Sequence, residues 1–427
     1  MRRRVVITGM GAVTPLGNDL RSTWKGLCEG RSGVGPITLF DARSFPTRIA
    51  GEVRGLESAP WAARGPEYAA LGRHSLFALE AAREAVEDSG VGSGVSPEKF
   101  GVYFGAGDGG FDFAQYARIL AESVNGDSHV KAEPYVRKSL ERIRPSAILE
   151  QDPQRVVEHL SRFFGTEGPV FNCLTACAAS SQAIGEAAEL IREGHADVML
   201  SGGSHSMIHP LGLAGFNLLT ALSTRNDDPR GASRPFDKER DGFVLSEGAG
   251  AVVLEELEHA RARGARVHAE LAGYGTTADA FRLTDPHPEG RGAIQAMRLA
   301  LADARLDPSA IGYVNAHGTS TQLNDQIETH AAKTVFGERA RQVPMSSIKS
   351  MLGHMIAAAG VVELVASALT ISEGVIPPTI NYRTPDESCD LDYVPNTARK
   401  QKVQAVLSNS FGFGGQNVSL ILKRFRS

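Results

Sequence analysis

Residues 168–191 read GPVFNCLTACAASSQAIGEAAELI, and two structural patterns meet inside this stretch. A strand-like run ends near Thr175, and apolar residues at three- and four-residue spacing then predict a helix that begins at Cys177. A thiol at a helix N-terminus lies near the positive end of the helix dipole and near free backbone N–H groups, which favour the thiolate. The stretch predicts a strand-to-helix unit with a reactive cysteine, although a buried structural cysteine fits the same pattern.

Short β-branched runs alternate with alanine-rich helical patterns along the whole chain, which predicts an α/β protein with largely buried sheets. The runs that read as strands are RVVITGM, KFGVYFGAG, ADVMLSGG, AGAVVLEEL and IGYVNAH. The runs that read as helices are HSLFALEAAREAVEDSG, SSQAIGEAAELIREG, GAIQAMRLALADA and AAAGVVELVASALTISEG. A new strand in HAELAGYG divides the chain into an N-terminal half, 1–267, and a C-terminal half, 268–427.

Charge and cysteine content narrow the possible functions. The chain has 45 basic and 49 acidic residues and a net charge of −4, so it has no basic field that would hold a polyphosphate backbone. We therefore expect no nucleic-acid partner. The four cysteines are too few for a disulfide framework in 427 residues, which favours a reducing, cytoplasmic environment.

Two stretches need to be distinguished from membrane or targeting segments. The apolar run after the N-terminal arginines is broken by Thr8, Gly9 and Pro15, so we predict a buried strand and a glycine-rich turn rather than a signal peptide. The longest apolar stretch, MIAAAGVVELVASALTI at 355–371, carries Glu363 at its centre. The sequence therefore predicts no membrane span.

Two motif matches are weak. GAGDGG at 105–110 fits the dinucleotide-binding pattern but lacks an acidic residue at the expected distance on a second strand. His205 and His209 in HSMIH have helical spacing, but no glutamate lies between them to act as a general base, and Pro210 follows directly. We expect neither a dinucleotide site nor a zinc site from these residues.

Two glycine-containing segments supply candidate partners for Cys177. NAHGTSTQLND at 315–325 places His317 directly after a strand. The second segment, SSIKSMLGHMIAAAGVVE at 346–363, runs through a turn into a helix. It carries three candidate residues, Lys349, His354 and Glu363.

One cysteine with two histidines fits two kinds of enzyme. A cysteine protease would use one histidine as the base and an Asn or Asp to orient it. Two imidazoles that converge on one cysteine instead suit an oxyanion or enolate that needs two hydrogen-bond donors. The residues alone leave both interpretations open.

Five ordered motifs resolve this choice by resemblance. TACAASS, PFDKERDGFVLSEGAG, NAHGTST, KSMLGH and NSFGFGGQN have the order and spacing of the β-ketoacyl-carrier-protein synthases. The chain resembles most the elongating type II fatty-acid class and the related ketosynthase subunits of type II polyketide systems. The resemblance extends from VVITGMGAVTPLG to VSLILKRF, which is essentially the whole chain.

The resemblance implies a catalytic role for each candidate residue. Cys177 would accept the acyl group as the nucleophile. His317 and His354 would bind the extender thioester carbonyl and support its decarboxylation. Lys349 would hold the histidine network in place, with Glu363 as its buried partner.

Residues around the substrate are implied in the same way. Phe413 would be a gating aromatic between Gly412 and Gly414, and its backbone N–H would join that of Cys177 in an oxyanion hole. The substrate-binding residues that the resemblance implies are Thr319, Thr321, Phe411, Phe216, Thr284 and Asp108. The two threonines would hydrogen-bond the phosphopantetheine arm of the carrier protein.

The family also implies an architecture and an assembly. Its fold is thiolase-like, with two similar halves packed as five layers, α-β-α-β-α. Its members dimerise with the acyl tunnel close to the two-fold axis, so we expect a homodimer or a heterodimer with a chain-length partner. The expected partner is an acyl carrier protein whose phosphopantetheine carries the substrates, with no cofactor and no metal.

The expected reaction is a decarboxylative Claisen condensation. An acyl thioester on Cys177 would react with malonyl-acyl carrier protein to give β-ketoacyl-acyl carrier protein and CO2 in fatty-acid elongation. The alternatives are a ketosynthase of a type II polyketide or polyene pathway and a non-catalytic chain-length partner. The last is less favoured, because such partners usually lack the nucleophilic cysteine.

Asp108 departs from the family pattern. Fatty-chain elongators generally carry an apolar residue at this position, where it lines the acyl tunnel. An ionised carboxylate beside a saturated chain is costly unless it is paired or protonated. Either the side chain turns aside to a loop, or the tunnel is polar here and suits a polyketide or polyene chain.

Overall fold

The computed structural model describes residues 2–92, 94–107, 112–126 and 128–426, and these contain fourteen strands and fourteen α-helices. The strands are β1 Val5–Val13, β2 Val34–Pro36, β3 Ile49–Gly51, β4 Phe100–Ala106, β5 Val170–Cys173, β6 Val198–His205, β7 Gly248–Glu256, β8 Ala269–Ala278, β9 Tyr313–Asn315, β10 Met345–Ser346, β11 Val375–Ile376, β12 Arg399–Lys400, β13 Ala405–Gly412 and β14 Gln416–Lys423. The helices are α1 Leu20–Cys28, α2 Ala59–Ala62, α3 Arg73–Ser89, α4 Phe113–Ala121, α5 Ala132–Arg142, α6 Pro145–Leu149, α7 Gln154–Phe164, α8 Ala179–Arg192, α9 Pro210–Leu218, α10 Leu257–Ala262, α11 Arg291–Ala304, α12 Gln322–Phe336, α13 Lys349–Leu352 and α14 Ala359–Glu373.

The main sheet repeats one topology twice. Its order is β10-β9-β13-β14-β8-β1-β7-β6-β4-β5, which divides into the units β1-β7-β6-β4-β5 and β8-β14-β13-β9-β10. In each unit the first two strand pairs are antiparallel and the last two are parallel. The units join where Val5–Ile7 pair antiparallel with Ala269–Leu271.

Helices cover both units in five layers. The central layer is formed by α8 and α14, which contact strands of both units. One outer layer contains α3 and α7 on the first unit, and the other contains α11, with α12 against it, on the second. This arrangement confirms the expected α-β-α-β-α sandwich, and all nine of the predicted strands and helices are present.

Strand β1 shows why the layers close so tightly. All nine of its residues are buried, as its apolar sequence predicts. Glycine is required where α3 crosses it, because a Cβ at Gly9 would lie 2.0 Å from Ala85 O and one at Gly11 would lie 2.0 Å from Ala81 O. These contacts bring α3 directly onto the strand backbone.

The same turn precedes each central helix. A 3₁₀ turn at Ala176–Ala178 leads into α8, and another at Ile356–Ala358 leads into α14. The first residue of each turn has a left-handed backbone, with φ of 47° at Ala176 and 43° at Ile356. The helix predicted to begin at Cys177 therefore begins two residues later, after a strained turn that carries the cysteine.

The long apolar helical stretch lies in the core. Ile356–Glu373 is apolar enough by composition to cross a bilayer, but 83% of it is buried within the fold. Glu363 on this stretch is only 1% exposed and pairs with Lys349. Such burial is typical of the core helix of a globular protein.

The two weak motifs also have structural explanations. His205 ends β6, whereas the Nδ1 atom of His209 accepts from the Gly212 N–H at the start of α9, so the two histidines do not share a helix. Among the described residues no group of three His, Cys, Asp or Glu side chains could hold a metal ion. Only 105–107 of the GAGDGG motif are described, and Asp108 lies outside the described residues.

Candidate active site

A cavity of about 280 Å³ opens beside the cysteine turn. The predicted residues that line it are Cys177, His317, His354, Thr319, Thr321, Phe411, Gly412, Phe413 and Thr284. Four further predicted residues lie outside this lining, namely Lys349, Glu363, Phe216 and Gly414. The cavity brings together residues from both sheet units, since the cysteine follows β5 whereas the histidines follow β9 and β10.

Cys177 is 3% exposed and receives backbone donors. Burial raises the pKa of its thiol to about 11, although the N–H groups of Phe413 and Cys177 and the charge of Lys349 act to lower that pKa. The backbone donors thus lie where the sequence predicted them. The expectation of a stabilised thiolate is wrong for the resting site, because burial outweighs these donors and the thiol is protonated at neutral pH.

The GFGG loop lies directly against the cysteine turn. A Cβ at Gly412 would lie 3.0 Å from Thr175 O and 3.3 Å from Cys177 N, so a larger residue here would press against the cysteine turn. Phe413 follows, half-buried at the cavity wall. Gly414 has φ of 82° and donates its N–H to Leu283 O at 2.6 Å, so this N–H is already paired with a group other than the cysteine.

The two histidine rings are adjacent and nearly perpendicular, with centroids 5.4 Å apart and planes at 83°. Lys349 Nζ lies 3.3 Å from His317 Nδ1, and since an ammonium can only donate, Nδ1 accepts and the ring proton lies on Nε2. The Ile356 N–H donates to His354 Nδ1 at 3.3 Å, which also places that ring proton on Nε2. Both imidazoles therefore offer an Nε2–H donor.

Burial keeps both rings neutral. It lowers the pKa of His317 and of His354 well below 6.5, and the positive charge of Lys349 lowers each pKa further. His354 Nε2 is buried and has no hydrogen-bond partner in the part of the chain that the structure describes, so its donor is available to a substrate oxygen. Two neutral donors at one end of the cavity are suited to a developing oxyanion.

Lys349 connects this pair to the core. Its Nζ donates to His317 O at 2.7 Å and to Glu363, whose pKa is raised by burial against the effect of the ammonium. A second carboxylate, Glu328, accepts the N–H groups of His317 at 2.9 Å and of Gly318 at 2.8 Å. Glu328 lies within α12, and no motif in the sequence pointed to it.

The residues predicted to bind the pantetheine arm lie at the cavity wall. Thr319 Oγ1 and Thr321 Oγ1 are 2.9 Å apart, and both residues line the cavity. Phe411, which is 9% exposed, lies against His317 with ring centroids 5.9 Å apart. Thr284 lines the cavity on a different loop from the other two threonines.

An apolar cluster lies beside the cysteine. Cys177 packs in it with Ile208, Leu213, Leu222, Phe243, Leu245 and Ile356, and the partly buried Phe216 lies against it. The Phe216 and Phe243 rings are edge-to-face at 5.5 Å, and Phe243 is edge-to-face with His354 at 5.2 Å. Phe216 is thus placed beside the apolar side chains that surround Cys177.

Sequence reasoning missed the residues that hold the GFGG loop. The Asp279 N–H donates to Gly415 O at 2.8 Å, and its carboxylate accepts from Asn417 Nδ2 at 3.0 Å and from the His287 N–H at 3.1 Å. Asn417 belongs to the quoted NSFGFGGQN motif, which was the available signal. Asp279 directly follows β8 and lies outside every motif.

Comparisons with known proteins agree with this geometry. The β-ketoacyl synthase N-terminal and C-terminal domain models match residues 2–260 and 268–383. A 3-oxoacyl-[acyl-carrier-protein] synthase 2 of Coxiella burnetii is 45% identical, with 99% of each chain covered. A solved type II polyketide ketosynthase, bound to the hexaketide and to its acyl-carrier protein, is 35% identical with a TM-score of 0.88 and full coverage of both chains.

A second solved structure, the ishigamide ketosynthase/chain length factor, is also 35% identical, with a TM-score of 0.87 and full coverage of both chains. These likenesses extend over the whole chain. They therefore include both sheet units, which together build the site of one cysteine and two histidines. The chain belongs to the β-ketoacyl synthase family and is an acyl-transferring enzyme.

Proposed function

We propose that the protein catalyses a decarboxylative Claisen condensation in fatty-acid elongation. An acyl group on Cys177 reacts with malonyl-acyl carrier protein to give β-ketoacyl-acyl carrier protein and CO2. The reaction draws on hydrogen bonds rather than on a metal or redox cofactor. The observation that carries this proposal is the convergence of Cys177 with two neutral Nε2–H donors, from His317 and His354.

The first step transfers the acyl group to the enzyme. The Cys177 sulfur attacks the acyl thioester of the carrier, and the thiol proton passes to the departing pantetheine sulfur. The N–H groups of Cys177 and Phe413 receive the oxyanion that develops on the carbonyl. Because the thiol pKa is about 11, this proton moves during attack rather than beforehand.

The second step generates the carbon nucleophile. The malonyl thioester carbonyl accepts from His317 Nε2–H and His354 Nε2–H, the bond to the carboxylate breaks, and CO2 leaves with an enolate remaining. Lys349 holds His317 in the required tautomer. The enolate carbon then attacks the acyl-Cys177 carbonyl, the new C–C bond forms as the C–S bond to Cys177 breaks, and the departing thiolate takes up one proton from water.

Partners and assembly follow from the same proposal. Thr319 and Thr321 at the cavity wall bind the phosphopantetheine arm of an acyl carrier protein. The enzyme works in the cytoplasm as a homodimer, with the nucleophile on the half 1–267 and the histidines and gate on the half 268–427. The solved ketosynthase seen with its acyl-carrier protein supports the choice of partner.

Replacing the nucleophile tests the proposal. We expect Cys177→Ala to give no acyl-enzyme in intact-protein mass spectrometry and no condensation product. Cys177→Gln should still release CO2 from malonyl carrier, because its amide carbonyl can occupy the oxyanion hole as an acyl group would. The matched control is Cys28→Ala, a half-buried cysteine on α1, which should leave both reactions intact. Normal condensation by Cys177→Ala would refute the assignment.

A second candidate is a ketosynthase of a type II polyketide or polyene pathway, which acts alone or with a chain-length partner. Two full-length likenesses support it, the hexaketide-bound ketosynthase and the ishigamide ketosynthase/chain length factor. Condensation rates with saturated and oxygenated acyl carriers of equal length separate the candidates. Preference for saturated chains favours fatty-acid elongation, and preference for oxygenated chains favours the polyketide assignment. The non-catalytic alternative loses support because Cys177 is present.

A further inference from the structure

His205 is buried and has no hydrogen-bond partner among the residues that the structure describes. The residue is 1% exposed, and both Nδ1 and Nε2 are shielded from solvent and unpaired. Buried polar groups are nearly always hydrogen-bonded, because an unmade bond leaves the cost of removing the group from water uncompensated. An imidazole with two such nitrogens therefore needs an explanation that the catalytic site described above does not provide.

Strand alternation places His205 on the active-site side of the sheet. On β6, Val198 and Leu200 pack in the outer core with α3 and α7, so the odd-numbered residues face the central layer. A Cβ at Gly203 would lie 2.6 Å from Ala357 O, which confirms this direction. His205 is two residues further along the same face.

The immediate contacts connect His205 with the cysteine cluster. A Cβ at Gly107 would lie 2.9 Å from His205 Nδ1 and 3.9 Å from Ala357 Cβ, so the imidazole lies beside the turn Ile356–Ala358. Ile356 of this turn packs with Cys177 in the apolar cluster. His205 is thus separated from the nucleophile by one turn.

The chain after His205 continues around the same cluster. Ile208 and Leu213 are two of its buried members, and Phe216 packs against it. Burial, with the nearby rings of His74 and His209, lowers the pKa of His205 to about 3, so the imidazole is neutral. A neutral imidazole offers one donor and one acceptor.

We propose that His205 is a specificity-determining residue of the acyl pocket, which hydrogen-bonds an oxygen on the acyl chain beyond the thioester. The inference rests on the proposed condensation and favours its second candidate, since it assigns to the pocket acyl chains with keto or hydroxyl groups rather than the fully reduced chains of fatty-acid elongation. A saturated chain would leave both nitrogens unpaired, whereas an oxygenated chain satisfies one of them. Sites with a buried polar group discriminate strongly against ligands that leave the group unpaired.

The test compares paired substrates. Condensation rates are measured with saturated and keto-substituted acyl carriers of equal length for the wild type, for His205→Leu and for His205→Gln. We expect the wild type to favour the keto chain and His205→Leu to reduce that preference at least about tenfold. His205→Gln should keep part of the preference, because its amide can still donate and accept. The control His195→Leu replaces a side chain that is 60% exposed and should change nothing.

Stability and spectroscopy make the result decisive. Removal of an unpaired imidazole should leave the Tm of His205→Leu equal or higher, which a hydrogen-bonded structural histidine would not do. In the wild type, the imidazole ¹⁵N shifts of His205 should change when Cys177 carries a keto chain and stay constant with a saturated chain. This measurement does not depend on any variant folding.

The proposal and the condensation fail in different ways. Condensation of both substrates with an unchanged preference in His205→Leu would overturn the role of His205 alone. A wild-type preference for saturated chains, or constant ¹⁵N shifts with both acyl groups, would overturn it as well. Absence of product from either substrate with the wild-type enzyme, although Cys177 is acylated, would instead contradict the condensation.

Discussion

The two active-site imidazoles reach the same protonation state by different means. His317 receives a side-chain donor from Lys349, whereas His354 receives a backbone donor from Ile356, and each ring is left with its proton on Nε2. A fixed tautomer matters because only an Nε2–H can donate to an enolate oxygen in the cavity. The buried ammonium of Lys349 has a second consequence, since it makes protonation of either ring less favourable.

Removing either donor should separate the two half-reactions. His317→Ala or His354→Ala is expected to lower malonyl decarboxylation by about 10²–10³-fold, which corresponds to about 2.7–4 kcal/mol of lost stabilisation of the developing oxyanion. Acylation of Cys177 should remain measurable, because it depends on the backbone donors. Single-turnover acylation and CO2 release provide the two readouts, with exposed His195→Ala as the control. Decarboxylation at the wild-type rate in both variants would contradict the donor role.

The lowered imidazole pKa values predict an unusual pH profile. With ordinary pKa values near 6.5, both rings would be neutral together in only about 1% of molecules at pH 5.5. Here the pKa of each ring is well below 6.5, so the neutral pair persists as the pH falls. We expect decarboxylation by Cys177→Gln to change less than about threefold between pH 7.5 and pH 5.5. A loss near a hundredfold, with the protein still folded by circular dichroism, would show that the rings titrate normally.

At the scale of elements, the site depends on the close contact between the GFGG loop and the cysteine turn. Strand β13 delivers the loop, and Asp279 at the end of β8 holds it through Gly415 and Asn417. The turn itself is fixed by the left-handed backbone of Ala176. The two oxyanion donors therefore come from two separate elements, the GFGG loop and the cysteine turn, whose relative position has to be maintained.

Gly412→Ala tests whether this contact between the loop and the turn is needed. Its φ of −111° suits any residue, so the effect of a new Cβ is purely steric, against Thr175 O at 3.0 Å and Cys177 N at 3.3 Å. The loop would have to move away from the turn and carry the Phe413 N–H off the thiol. We expect Cys177 acylation to slow about tenfold or more. Gly92→Ala, where a Cβ meets nothing within 4 Å, is the control. Equal acylation rates in the two variants would show that the contact is not needed.

The sequence predicted the elements better than the contacts between them. Periodicity located the strands and the central helices, because each buries a continuous apolar face. The ordered motifs located Cys177, His317 and His354, because each of these residues lies in a turn whose sequence is typical of the family. Asp279 and Glu328 were not found, since each acts chiefly on backbone groups that no residue pattern records, and the available signal was Asn417, a motif residue that donates to Asp279. The thiol pKa was mispredicted because burial is a property of the packed molecule.

At the scale of the whole molecule, catalysis depends on the repeated unit. The turn after β5 carries Cys177, and the related turn before α14 carries Ala357 at the matching position. One unit therefore supplies the nucleophile, while the other supplies both histidines and the gate. The central layer of α8 and α14 holds these contributions together, which explains why the reactive groups are fully buried between two halves.

One edge of the sheet is left open at β5. The described strands pair with β5 only through β4, and Phe171 and Leu174 at this edge are 46% and 60% exposed. Exposed apolar edge strands are normally covered, because their free N–H and C=O groups invite pairing with another strand. A second copy can cover this edge by antiparallel β5–β5 pairing about a two-fold axis, which is the symmetric arrangement of most dimers.

Phe171→Lys tests this interface. Two-fold pairing would bring the two lysines near each other, where like charges opposite one another are destabilising. We therefore expect the wild type to be a dimer by light scattering and Phe171→Lys to shift toward the monomer. Leu299→Lys, at a similarly exposed position (39%) on the outer helix α11, is the matched control and should stay dimeric. Because β5 leads directly into the cysteine turn, loss of the dimer should also slow acylation of Cys177. A dimer that persists in Phe171→Lys with unchanged acylation would place the interface elsewhere.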